Sequence, residues 1–107
     1  MKKGMVKVSV MYPGGEGKKF NLDYYCNTHL AMVGGLLGDA LQGANVETGV
    51  GGGAPGSPAP YVAIGTMYFN TAEEFGAAFG PNVEKIMGDL PNFTNIAPVI
   101  QISEVML

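Results

Sequence analysis

The chain carries one histidine, His29, and one cysteine, Cys26, three residues before it, together with five tyrosines, Tyr12, Tyr24, Tyr25, Tyr61 and Tyr68. An imidazole gains and loses a proton near neutral pH, so His29 is the candidate general acid or base. A tyrosine hydroxyl nearby can orient that ring or hold the oxygen of a developing enolate, and Tyr25 and Tyr12 are the candidates for it. The amides of Asn92 and Asn95 offer hydrogen bonds to a substrate oxygen. Histidines also occur as plain core residues bonded to a tyrosine hydroxyl or a backbone carbonyl, and the sequence leaves both readings of His29 open.

Other chemistries lack their parts. One Cys and one His at helical spacing are too few for a closed zinc site, so no metal is expected. Gly49, Gly51 and Ala54 satisfy GxGxxA, but Pro55 follows where a dinucleotide motif needs a helix to begin. There is no GxSxG, phosphate loop or HExxH, and no cofactor is expected. Asn92, Phe93 and Thr94 form a sugar-acceptor pattern without a secretory context. Net charge is −3, and the six Lys and Arg gather only as Lys2 with Lys3 and Lys18 with Lys19. That is too little to neutralise a phosphate backbone.

No apolar run approaches the ~20 residues of a membrane span, and the start MKKGMVKV lacks a long apolar stretch with a cleavage site. A lone cysteine suits a reducing compartment, and the expectation is a cytoplasmic protein. At 107 residues the chain has room for one domain, 1–107. Hydrophobic residues at 47% against 14% charged exclude a disordered chain. That much apolar side chain in so small a protein predicts a subunit contact, hence a homodimer.

The elements that must position His29 follow from hydrophobic period. Residues 5–12 alternate, with Val6, Val8, Val10 and Tyr12 on one face, and predict a first strand. From Asn21, a suitable N-cap, Leu22, Tyr25, Cys26, His29, Val33, Leu36 and Leu37 recur at helical steps. That stripe turns His29 inward, where an apolar setting favours the neutral ring, and the helix should stop near Gly38. A second strand is predicted at 41–50. The Gly- and Pro-rich run 51–60 is a connection, and 61–69 is a third strand.

Thr71 with Glu74 offers a capping box for a second helix buried through Phe75 and Phe79. Gly80 and Pro81 kink or restart it before Val83, Ile86 and Met87. Residues 91–95 read as loop and 98–105 as a fourth strand. The order βαββαβ is the split βαβ pattern of the α+β class: a ferredoxin-like four-stranded antiparallel sheet with two helices on one face. Val6, Val8, Val10, Ile100 and Ile102 should face the helices. Ser9, Met11, Gln101, Ser103 and Val105 would form a half-polar bare face suited to a second sheet, giving a dimeric α+β barrel.

FNLDYYCNTHLAMVGGLLG, residues 20–38, resembles the first helix of the EthD family, with an aromatic pair, Tyr24 and Tyr25, followed by Thr28 and His29. The segments 51–69 and 75–105 resemble the family's middle and end. The resemblance implies a dimeric α+β barrel, a superfamily that includes cofactor-free monooxygenases, isomerases, dehydratases and some haem enzymes, and it implies no single reaction.

Two functions are therefore expected. One is a small cofactor-independent enzyme, of oxygenase, isomerase or dehydratase type, acting on a hydrophobic or aromatic molecule in catabolic or polyketide-like metabolism. Its catalytic residues would be His29, Tyr25 and Tyr12, with Tyr24, Cys26, Val33, Tyr61, Phe79, Asn92, Phe93 and Asn95 around the substrate. The other is a non-catalytic protein that binds such a molecule for a degradation pathway.

Overall fold

The computed structural model describes residues 2–107. Four antiparallel strands, β1 (Val6–Pro13), β2 (Gly43–Thr48), β3 (Tyr61–Phe69) and β4 (Val99–Glu104), form one sheet in the order β2-β3-β1-β4. The first helical segment runs as α1 (Leu22–Tyr24), a π-helical turn (Tyr25–His29) and α2 (Leu30–Leu37). The second runs as α3 (Ala72–Phe79), a 3-10 turn (Gly80–Asn82) and α4 (Val83–Gly88). This is the ferredoxin-like arrangement that alternation and period predict.

Register sets the two faces. Val8 pairs with Met67 and Ile102, and Val10 with Gly65 and Ile100, so these side chains share one side of the sheet. On that side Val6, Val8, Met67 and Phe69 pack with Val33 and Leu37 of the first helix and Ile86 of the second. Ile100 and Ile102 belong to the same side yet are 45% and 55% exposed, because β4 is an edge strand beyond the helices' cover. The opposite side carries Ser9 and Gln101 in register, with Thr66 buried beside them, and the helices pack on the Val8 side.

The first helix departs from the predicted stripe. Tyr25, His29, Val33 and Leu37 are buried, whereas Leu22 is 39% exposed and Cys26 is exposed. Four-residue steps drift by about 40° each on an ideal α-helix, and the wider π turn offsets part of that drift, keeping Tyr25 and His29 on one line with Val33. Cys26 and Leu22 are thereby turned outward. Asn21 caps the helix by accepting from the Tyr24 N–H at 3.1 Å. Asn21→Ala should cost about 1 kcal/mol, read as a lower urea midpoint. Gly38, with φ +58°, ends α2 in a conformation that side chains resist.

Thr71 caps α3 by accepting from the Glu74 N–H at 3.0 Å, as its spacing predicts. At the Gly80–Pro81 restart, Asn82 donates to the Ala78 carbonyl at 2.8 Å and so bridges the two halves. Residues 90–92, expected in part as loop, form a 3-10 turn around Pro91. The second strand is shorter than expected, and residues 49–60 complete the connection to β3.

Candidate functional site

The buried His29, 3% exposed, stands at the end of the π turn with its Nδ1 2.9 Å from Oδ2 of Asp89. Tyr25, one turn earlier, stacks on the imidazole at 5.6 Å and 16°, and the Phe93 ring approaches it at 4.7 Å. The ring has little freedom to turn. Asp89 arrives from the far end of the second helix, where it caps α4 just before the 3-10 turn. The segment after it is tied to the first helix: Asn21 N–H donates to the Phe93 carbonyl at 2.8 Å, and Phe20 bridges Thr94. Two ties therefore bring together groups sixty residues apart.

The other oxygen of Asp89, Oδ1, accepts from the Tyr24 hydroxyl at 2.9 Å and from Asn92 Nδ2 at 2.8 Å. Partial burial pushes the Asp89 carboxyl up, but the bonds from Asn92, His29 and Tyr24 outweigh it and hold the group below its ordinary value. A carboxylate only accepts, so Nδ1 must carry the proton that joins the pair. In the neutral ring Nε2 is then bare. The Asp89 carboxylate thereby fixes the tautomer and the orientation of the ring.

The lowered Asp89 value has a consequence for stability. A carboxyl that ionises more readily when folded favours the folded state above the unfolded pKa, and the gain is lost as pH falls through the lower folded value. The gap in urea midpoint between the wild-type protein and Asp89→Asn should therefore be wide at pH 7 and narrow on acidification below about pH 4. The same bond shifts the Tyr24 hydroxyl upward.

A cavity of about 220 Å³ lies between the sheet and the two helical segments, with His29 in its wall. Its lining is almost wholly apolar, including Val8 and Val10 below, Val33 and Leu30 on one side, Phe75, Phe79, Ile86 and Met87 on the other, and Ile100 and Ile102 toward the β4 edge. An apolar cavity of roughly 150 Å³ holds benzene, so this one has room for a ring with a short substituent. His29 lines the cavity and Asp89 does not, so the carboxylate holds the ring from outside the lining.

Tyr12 and Tyr25 also line it, their rings 5.5 Å apart and edge to face. The Tyr25 hydroxyl sits against Gly65 of β3, where a Cβ would occupy its place. Burial, the charge of Tyr25 and a bond toward its hydroxyl drive the Tyr12 hydroxyl far up, and burial pushes Tyr25 up to about 12. Both stay protonated near neutrality and serve as donors.

The structure thus gathers His29, Tyr25, Tyr12, Val33 and Phe79 at the cavity. Phe93 supports the imidazole from behind, and Tyr24 and Asn92 bind Asp89 rather than the cavity. Three more of the expected substrate contacts also lie outside the lining. Cys26 is exposed on the outer side of the helix. Asn95 ties a loop, accepting from Lys19 N–H at 2.8 Å and donating to the Gly17 carbonyl at 2.9 Å. Tyr61 opens β3 opposite Pro13, outside the lining. Asp89 is the residue that sequence reasoning missed. Its signal was an acid at the end of a helix, where the macrodipole disfavours negative charge.

Residues 15–97 match the family model of the EthD domain. Among solved structures, the chain is similar to an EthD-like protein from Ralstonia eutropha JMP134, at 45% identity and TM-score 0.92, over 99% of this chain and 96% of that one. It is also similar to an ethyl tert-butyl ether D (EthD) family protein from Bacillus halodurans C-125, at 19% identity and TM-score 0.66, over 95% and 99%. A candidate monooxygenase from Shewanella loihica PV-4 shares the fold at 10% identity and TM-score 0.58, over 100% and 99%. No curated protein matches the chain.

Proposed function

The chain belongs to the EthD family, and from that premise we propose that it is a small cofactor-independent enzyme that moves a proton on a hydrophobic or aromatic small molecule. Oxygenation, isomerisation or dehydration that passes through a substrate anion begins with such a step, and catabolic or polyketide-like metabolism supplies such molecules. The observation that carries the reading is the His29–Asp89 pair at 2.9 Å, set in the wall of an apolar cavity. A hydrogen-bonded carboxylate fixes the tautomer, an apolar wall excludes water, and the nitrogen left bare, Nε2, belongs to a ring that lines the cavity. In that role His29 takes a proton from an acidic C–H or O–H and returns it, and the electron pair rests meanwhile on the ligand's oxygen.

The proposal includes a homodimer joined through the bare sheet face. The side around Ser9 and Gln101, with Val99 47% exposed beside it, is what supports this. It also includes a cytoplasmic location, for which the exposed free thiol of Cys26 is the support.

Phenylacetone, a single ring with a ketone and acidic benzylic protons, is a suitable probe. In D₂O the wild-type protein should speed exchange of those protons over buffer, with a gain that saturates in ketone and falls when isobutylbenzene competes for the cavity. Binding without any gain in exchange would contradict catalysis and leave a protein that only holds its ligand.

A further inference from the structure

The position of the Tyr12–Tyr25 pair says what kind of molecule the cavity selects. The Tyr25 hydroxyl sits against Gly65 of β3, and both residues line the cavity beside His29. A hydroxyl that stays protonated in a largely apolar wall is a donor for a ligand oxygen placed beside it.

The charge of the ligand is set by what is missing from the wall. No Lys or Arg lines the cavity, and the titratable side chains in the lining are His29 and the two tyrosines. An anionic ligand would lose its hydration without gaining a counter-ion, and the Asp89 carboxylate behind His29 would repel it. A cationic ligand would find Asp89 already holding three hydrogen bonds.

The geometry points to an uncharged ring compound bearing one carbonyl or hydroxyl oxygen, with that oxygen held by the Tyr25 hydroxyl and the neighbouring C–H or O–H turned to Nε2 of His29. The inference deepens the acid–base reading and rests on it for the orientation, while the oxygen site itself stands on Tyr25 and the cavity alone. As the proton moves to Nε2, the C–H electrons pass to the carbonyl oxygen, giving an enolate that accepts from Tyr25. Return of the proton to the same or another carbon restores the neutral ligand, so no oxidant or co-reactant is consumed.

Three matched probes test it: phenylacetone, its hydrocarbon analogue isobutylbenzene, and the anion phenylacetate, each titrated by calorimetry against wild-type protein, Tyr25→Phe and His29→Gln. The wild type should bind phenylacetone about tenfold more tightly than isobutylbenzene, and phenylacetate more weakly than the ketone by at least about that factor. Tyr25→Phe should abolish the preference for the ketone over the hydrocarbon while keeping hydrocarbon affinity, and His29→Gln should preserve it. A preference that survives in Tyr25→Phe, an anion bound as well as the ketone, or no binding of any probe overturns the inference. If the preference survives there while His29→Gln stops exchange, the oxygen site fails and the base stands. The opposite pattern, preference lost but wild-type exchange absent, keeps the oxygen site and removes the base.

Discussion

His29→Gln should lower the exchange of phenylacetone protons by a factor of about 10² to 10⁴, the range that a positioned general base contributes. Glutamine keeps a planar polar group of similar reach, so the fold is expected to hold, but it has no nitrogen lone pair basic enough to take the proton. The exchange rate in D₂O, followed by NMR at saturating ketone, checks this. A variant that exchanges as fast as the wild type would place the reacting base elsewhere. Because Asp89 keeps its bonds from Tyr24 and Asn92 in this variant, the carboxylate is not left bare, and the loss should appear in rate far more than in stability.

Gly65→Ala should cost about 1–3 kcal/mol, the range for overpacking a filled core, and remove the preference for a ketone in the same step. Gly65 has ordinary backbone geometry, so the glycine is needed for space and not for conformation. An added Cβ would fall on the Tyr25 hydroxyl and 3.2 Å from its Cζ. The strand cannot yield easily, since β3 is paired on both sides, with β1 and β2. Tyr25 cannot yield easily either, with Phe20 at 5.0 Å, Phe93 at 5.2 Å and Tyr12 at 5.5 Å around its ring. The urea midpoint and the ketone-to-hydrocarbon affinity ratio read the two effects. Wild-type values of both would mean that the Tyr25 hydroxyl is not held against the sheet.

The architecture was legible because period carries it. Val6, Val8 and Val10 alternate, Val33 and Leu37 fall a helical turn apart, and Gly80 with Pro81 announces a break that the structure keeps. His29 was legible as inward-facing for the same reason. What period cannot show is a π turn, which is defined by hydrogen bonds and not by residue type, so Cys26 and Leu22 were placed on a stripe that the real helix turns away from them. Asp89 was illegible for a different reason. Its partner lies sixty residues away, and the ties of Asn21 to Phe93 and of Phe20 to Thr94 bring the two elements together. Asn95 shows the converse, a polar loop residue whose hydrogen bonds are used up in holding the loop.

The central claim is that Asp89 holds the proton of His29 on Nδ1 and leaves Nε2 bare toward the cavity. His29 is the only histidine, so ¹⁵N NMR of the labelled protein reports a single imidazole. With the ring neutral, the account predicts a proton-bearing Nδ1 and a bare Nε2, and a reversal or mixing of the two forms in Asp89→Asn. A wild-type ring with its proton on Nε2 would leave the cavity facing a donor in place of a base and would contradict the account.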